Sequence, residues 1–181
     1  MGGAVLFLGF WIVWGALLAQ RLVEMWASAR TTAALEAAGG RRVADDGYGL
    51  LAATHTAFFL ASAIEAARAP WPMGVGKWNA AGLLLLLAGE GLRLWAITAL
   101  GDRWTTRIVV LPGAALVRTG PYRFLRHPIY VGVTLMLVGF PLLFGLWWTL
   151  AVVLVLHAVA LTRRIRREQA ALADVALAGA P

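Results

Sequence analysis

The side chains best suited to chemistry lie in one basic segment, Arg107–Gly132, which reads RIVVLPGAALVRTGPYRFLRHPIYVG and is rich in turn-forming glycine and proline. Pro128 suits the first turn of a helix, where its missing N–H costs nothing, so His127 falls near the N-cap position. The free N–H groups and the dipole at a helix N-terminus favour an anion. We therefore expect a small ligand with a carboxylate to bind near Arg126 and His127.

The same segment has a plainer interpretation. A basic loop beside a membrane also attracts anionic lipid headgroups without binding any small molecule. Tyr122 and Tyr130 add aromatic faces and hydroxyl groups to a possible pocket. The residues by themselves leave the pocket and the lipid-contacting loop as equal alternatives.

A second group of interest lies near the C-terminus. Arg164 and Glu168 are four residues apart, so they share one face if the last helix continues that far. A helical hairpin returns the end of the last helix to the start of the preceding one, which predicts that Glu168 approaches His127 and Tyr130. A carboxylate there would accept a hydrogen bond from an ammonium group. The alternative is a solvated helix end with one ion pair.

Long apolar blocks must position these residues, because the chain is 61% hydrophobic and only 14% charged, against about half and about a quarter in soluble domains. The blocks are Ala4–Gln20, Gly49–Ala67, Trp78–Leu100, Tyr130–Phe144 and Leu146–Leu161. About 20 helical residues span the hydrocarbon core. The first three blocks reach this length, whereas the last two are shorter and predict a C-terminal helical hairpin that turns at Phe144-Gly145.

These blocks predict an all-α integral membrane protein with about five transmembrane helices and a cytoplasmic cofactor pocket. We expect one domain over residues 1–181, with the N-terminal spans in 4–100 and the motif loop, hairpin and tail in 101–181. Most of the 16 basic residues lie in the loops after the first and third blocks and in the tail. The positive-inside rule places those segments in the cytoplasm and the N-terminus outside.

The same distribution bears on partners. The net charge of +7 is explained by membrane topology, so we expect no nucleic-acid partner but contact with membrane lipids. The chain has no cysteine, which excludes thiolate metal sites and disulfides, and we predict no metal site.

Charged residues inside the blocks are costly at membrane depth and are paired or functional. Glu90 and Arg93 lie three residues apart on one helical face and are expected to pair. Gln20, Arg21 and Glu24 cluster at the end of the first block and are expected to form a local salt bridge. For both sets, a direct part in a site is the alternative.

Several of these residues together resemble a known family. The pattern consists of Leu116-Val117, Gly120, Tyr122, the run Arg126-His127-Pro128-x-Tyr130-x-Gly132, and Arg164 followed four residues later by Glu168. It is similar to the isoprenylcysteine carboxyl methyltransferase family, which also includes membrane phospholipid methyltransferases. Gln20–Glu24 and Trp104–Gly113 resemble a bacterial branch whose members are thought to methylate alkylpyrone-type products.

The resemblance implies S-adenosylmethionine as the methyl donor and assigns roles by position. Arg126 and Arg164 are the implied catalytic residues, with Arg164 facing the acceptor. Glu168 would hold the amino group of the cofactor. The implied cofactor-binding residues are Ala114, Ala115, Leu116, Val117, Gly120, Tyr122, His127, Pro128, Ile129, Tyr130 and Glu168.

The implied reaction is O-methylation of a carboxylate or acidic hydroxyl on a lipophilic acceptor in the bacterial inner membrane. The alternatives are N-methylation of a phospholipid amine and a non-catalytic membrane scaffold or transporter. The chain departs from the family pattern in two places. Gln169 stands where a second glutamate is common, and the alanine-rich stretch Ala170–Ala180 replaces an aromatic-rich tail.

Overall fold

The computed structural model describes residues 2–44, 46–68 and 76–178. Within them lie five α-helices, α1 Gly2–Ala37, α2 Tyr48–Arg68, α3 Lys77–Leu100, α4 Pro128–Phe144 and α5 Trp147–Ala178. All except α4 are long and apolar enough to cross a membrane. The prediction of an all-α integral membrane protein is therefore confirmed.

The fourth predicted span, α4, has 17 residues. At 1.5 Å per residue it is about 25 Å long, less than the roughly 30 Å of a bilayer core. The hairpin turn lies where it was predicted, because Gly145 ends α4 in the left-handed conformation with φ of 67°.

Two helices extend well beyond their apolar blocks. The first apolar block ends at Gln20, but α1 continues to Ala37 and has 36 residues. The added stretch is rich in alanine and other good helix formers, and no glycine or proline interrupts it before Gly39. Helix α5 continues past Glu168, so the condition for Arg164 and Glu168 to share one face is met. Hydropathy marks only the part of a helix that lipid covers, so it underestimates the length of a helix that projects beyond the bilayer.

Helices α3 and α4 pack backbone to backbone through four glycines. A Cβ atom on Gly89 would lie 2.6 Å from the carbonyl oxygen of Gly132, and a Cβ atom on Gly132 would lie 2.7 Å from that of Gly89. Gly82 and Gly139 form a second such contact further along the same two helices. A Cβ atom on either glycine would lie 2.8 Å from the carbonyl oxygen of the other. Small residues let membrane helices approach closely. Gly132, the last residue of the motif, is thus a packing residue.

The apolar core lies toward the hairpin turn. The Phe140 ring packs against Phe10 with centroids 5.5 Å apart and against Phe58 with centroids 5.4 Å apart. Phe144 contacts the same Phe10 ring at 5.3 Å. These aromatic contacts join α1, α2 and α4 and fix the far end of the hairpin.

The opposite end of the bundle is closed by loops rather than by apolar packing. Strand β1, Arg41–Arg42, pairs antiparallel with β2, Val109–Val110. The Ser28 hydroxyl lies 2.8 Å from that of Thr106, and the Thr32 hydroxyl lies 2.6 Å from that of Thr105. These contacts dock the loop after α3 onto the projecting end of α1 and fix the segment that precedes the motif.

Candidate functional site

The start of α4 is the centre of the site. Pro128 is its first residue and His127 its N-cap, as the sequence predicted. The His127 ring stacks on Tyr130, with centroids 5.3 Å apart and planes inclined by 24°. The Tyr130 hydroxyl donates to Glu168 Oε2 at 2.7 Å, and His127 Nδ1 lies 3.9 Å from the same oxygen. The predicted approach of Glu168 to His127 and Tyr130 is confirmed.

Tyr122 is a further aromatic residue of the motif with its hydroxyl near Glu168. Burial raises the pKa of the Tyr122 hydroxyl, and the negative charge of Glu168 raises it further. A short 3-10 turn, Gly120–Arg123, presents this side chain. Gly120 opens the turn with φ of 56°, and a Cβ there would lie 2.8 Å from the Ala99 side chain. The glycine therefore meets both a conformational and a packing requirement against α3.

Arg164 is buried, with 4% of its surface exposed, and each of its side-chain nitrogens has a partner within the protein. Nε donates to the Tyr130 hydroxyl at 3.2 Å. Nη1 donates to the Asp46 carbonyl at 2.6 Å, and Nη2 donates to the Thr106 carbonyl at 2.8 Å. Arg164 thus fastens α4 and α5 to two loops. Its catalytic role toward the acceptor stays a prediction.

Asp46 is the residue that sequence reasoning missed. Its carboxylate pairs with Arg164 Nη1 at 3.0 Å and accepts backbone N–H groups from Tyr48 at 2.9 Å and Ile108 at 3.2 Å. Burial opposes ionisation, but these hydrogen bonds and the Arg164 guanidinium outweigh it and hold the pKa of Asp46 below its usual value. The available signal was an acidic pair, Asp45-Asp46, before Gly47 in a basic loop.

The remaining predicted residues are placed less centrally. Ala114–Val117 is an irregular segment held by Arg103, whose Nη1 donates to the Ala115 carbonyl at 2.7 Å. Its Leu116 side chain is 66% exposed, and the Arg126 side chain is exposed as well. Among the hydrogen bonds and ion pairs of the described residues, none joins this segment or Arg126 to the Glu168 carboxylate.

The arrangement suits a ligand that carries both a carboxylate and an ammonium group. His127 Nε2 is buried, and no partner for it exists among the described residues. No described side chain caps the N-terminus of α4, so its first N–H groups and this nitrogen can bind an anion. Glu168, whose Oε2 lies 3.9 Å from His127 Nδ1, supplies an acceptor for a cation.

Comparisons with known proteins identify the family of this chain. Residues 82–174, more than half of the chain and including α4 and the Arg164–Glu168 face, match the isoprenylcysteine carboxyl methyltransferase (ICMT) family. The uncharacterized protein YpbQ of Bacillus subtilis is 30% identical over 170 residues, which cover 91% of this chain and 97% of that protein. An uncharacterized protein of Haemophilus influenzae is 28% identical over 165 residues, which cover 91% of this chain and 95% of that protein.

No solved structure matches the chain. The family match covers the motif loop, the hairpin and the face that carries Glu168, which are the parts that form the site. The chain is a membrane protein of the ICMT family, a family of methyltransferases.

Proposed function

We propose that this protein transfers a methyl group from S-adenosylmethionine to an oxygen, a carboxylate or acidic hydroxyl, of a lipophilic acceptor. The observation that carries the proposal is the convergence of His127 Nδ1 and the Tyr130 hydroxyl on one Glu168 oxygen, at 3.9 and 2.7 Å. Membership of a methyltransferase family supplies the reaction class. The cofactor, when bound, supplies a methyl group activated by an adjacent sulfonium.

The residues present fit the amino-acid part of this cofactor. Its carboxylate matches the unpartnered His127 Nε2 and the uncapped start of α4 among the described residues. Its ammonium matches the Glu168 carboxylate. In this proposal Tyr122 and the segment Ala114–Val117 line the rest of the cofactor, as the resemblance implies.

The protein's contribution to such a reaction is alignment. Methyl transfer from a sulfonium is an in-line displacement, and correct alignment of two reactants is worth about 7–11 kcal/mol. Arg164 holds Tyr130 in place, and Tyr130 in turn holds Glu168. An acidic acceptor needs little help from a general base, so a site dominated by positioning groups suits this chemistry.

The proposed location is the inner membrane of a bacterium, with the site on the cytoplasmic side. The projecting part of α1 and the far end of α5 meet the same loop, because Ser28 and Arg164 both hydrogen-bond to Thr106. That end of the bundle also carries most of the basic residues, which supports a cytoplasmic position. A water-soluble cofactor would enter from the cytoplasm and a lipophilic acceptor from the bilayer.

Binding of S-adenosylmethionine to the purified protein in nanodiscs, measured by calorimetry, tests the proposal. We expect His127→Ala to weaken binding by about tenfold or more, because it removes a hydrogen bond to a charged group. Arg123→Ala, an exposed residue of the same loop, is the matched control and should bind like the wild type.

Labelled cofactor incubated with membrane lipid extracts, followed by mass spectrometry, would then separate a methyl ether or ester from a methylated amine. Wild-type protein without cofactor binding would contradict the proposal, as would unchanged binding in His127→Ala.

A further inference from the structure

The arginines of the apolar helices differ in whether the chain supplies a partner for them. Arg93 on α3 forms ion pairs with Glu24 and Glu90, and Arg21 lies 3.7 Å from Glu24. These contacts form one network between α1 and α3, and they confirm both the predicted pair on α3 and the predicted salt bridge on α1. Arg68, the last residue of α2, is exposed and has no hydrogen bond or ion pair with any residue that the structure describes.

Arg68 lies at one end of a groove between α2 and α5. The groove encloses about 560 Å³, which is within the range of roughly 300–1,000 Å³ that is usual for small-molecule pockets. Its walls consist of Ala61, Ile64, Glu65 and Arg68 from α2 and Trp148, Thr149 and Val152 from α5. On each helix these residues recur at intervals of three or four positions, so they share one face.

The groove is mostly apolar and open to its surroundings. Ile64 and Val152 are each 49% exposed, and Trp148 is 79% exposed. Both helices are long and apolar enough to cross a membrane, so lipid borders this groove. The α2 wall runs from Arg68 at the helix end back to Ala61, a distance of about 10 Å toward the middle of the bilayer. A lipid with its head at Arg68 therefore has its acyl chain along the apolar part of the wall.

The carboxylate that lines the groove is already used by the start of α5. Glu65 accepts the N–H groups of Trp148 at 3.1 Å and Thr149 at 2.7 Å, and it also accepts the Thr149 hydroxyl at 2.7 Å. The dipole at the N-terminus of α5 compensates its negative charge further. A guanidinium has five N–H donors, so Arg68 retains both its charge and its donors for another molecule.

The charge and the level of Arg68 select the kind of lipid. Arg68 ends α2 and Trp148 lies in the first turn of α5, and tryptophan is enriched at the headgroup level of a bilayer. A guanidinium binds a phosphate through two parallel hydrogen bonds. A head group with a net negative charge compensates Arg68, whereas a zwitterionic head group also brings an ammonium group that repels it.

We propose that the groove between α2 and α5 binds an anionic phospholipid, with the phosphate on Arg68 and one acyl chain along Ala61, Ile64 and Val152. About 30 Å of helix α5 separates Trp148 from Glu168, so the bound lipid is remote from the candidate cofactor site and is not a methyl acceptor. The lipid joins the end of α2 to the start of α5. This inference is independent of the proposed function.

Native mass spectrometry of the delipidated protein in detergent tests this site. Phosphatidylglycerol is the probe, and phosphatidylethanolamine with the same acyl chains is the zwitterionic comparison. We expect the first phosphatidylglycerol molecule to bind about tenfold more tightly, because its phosphate forms charged hydrogen bonds that no ammonium group weakens. Free glycerol phosphate, which lacks acyl chains, should not compete. Equal affinity for the two lipids, or competition by glycerol phosphate, would overturn the inference.

Arg68→Gln should reduce the affinity for phosphatidylglycerol by about tenfold, because it removes the charged donor of the phosphate. Lys77→Gln is the matched control, since it removes another exposed positive charge at the same end of the bundle. Lys77 lies 5.4 Å from the Trp78 ring, which in turn contacts Trp147 at the start of α5. Its side chain does not line the groove, so the control should bind phosphatidylglycerol like the wild type.

Ala61→Phe tests the groove separately from the charge. The larger side chain fills part of the α2 wall and leaves Arg68 in place, so we expect phosphatidylglycerol to bind severalfold more weakly. Thermal unfolding in lipid-free detergent checks that each variant is folded. Unchanged affinity in Arg68→Gln or in folded Ala61→Phe would overturn the inference, as would an equal loss in Lys77→Gln, which would indicate attraction to the overall charge of that surface.

Discussion

The two helices of the hairpin begin in opposite ways. At the start of α5, Glu65 from α2 accepts the N–H groups of Trp148 at 3.1 Å and Thr149 at 2.7 Å. At the start of α4, no described side chain caps the helix, and His127 Nε2 is buried without a partner in the described part of the chain. Both ends favour a carboxylate for the same physical reason. The protein supplies one for α5, and we propose that a ligand supplies the other for α4.

The two carboxylates therefore have different uses. Glu65 stabilises the fold at the start of α5, whereas the carboxylate proposed for the start of α4 belongs to a bound ligand. The α5 end is closed by a residue of the chain, so its stabilisation is always present. The α4 end gains its stabilisation only with a ligand, which makes its geometry dependent on the surrounding scaffold. That scaffold is the Arg164–Asp46 pair, which joins residues 118 positions apart in the sequence.

Removal of this scaffold is expected to have the largest effect, because it should destabilise the fold around the start of α4. Arg164→Ala leaves the Asp46 carboxylate, only 3% exposed, without its main cationic partner. Breaking a buried ion pair in this way costs about 3–5 kcal/mol. Thermal unfolding in detergent should show the loss, and exposed Arg163→Ala should not. Equal unfolding temperatures for the two variants would contradict the assigned scaffold role.

A subtler change should affect binding without affecting folding. Glu168→Gln keeps the shape of the side chain and an oxygen that can accept from Tyr130, but it removes the charge proposed to meet an ammonium. We expect the affinity for S-adenosylmethionine to fall by about tenfold or more, with the unfolding temperature nearly unchanged. Calorimetry on Gln169→Glu, an adjacent change on an exposed side chain, serves as the control. Loss of stability together with affinity would assign Glu168 to folding instead.

The smallest expected effect lies at the α5 end and has the opposite character. Glu65→Ala removes the acceptor of two helix N–H groups and of the Thr149 hydroxyl at 2.7 Å. Loss of such a cap costs about 1 kcal/mol. Denaturant or thermal unfolding should detect it, while cofactor affinity should stay at the wild-type value. A change in cofactor affinity would show that the two helix ends are coupled.

Sequence reasoning reached the site where the chemistry is local. The N-cap position of His127, the turn at Gly145 and the meeting of Glu168 with Tyr130 follow from proline placement, a short loop and helical periodicity. The family resemblance rests on the same residues, and the family match confirms it.

The features that were missed depend on contacts between distant segments. Asp46 has no recognisable motif around it, and its role depends on α5 returning to the loop before α2. Glu24 and Arg93 were each seen as part of a local pair, although they lie 69 positions apart and bind each other. Spacing along one helix predicts partners on that helix, but it does not predict which second helix completes the network.

The backbone contact between α3 and α4 has a mechanical consequence. With Gly89 against Gly132 and Gly82 against Gly139, neither helix can rotate without driving a side chain into its neighbour's carbonyl groups. Any widening that admits a bulky lipid-like molecule must therefore come from α1, α2 or α5. When the thickness of the surrounding bilayer changes, the other helices can adapt by tilting, while the first turn of α4 keeps its position relative to α3.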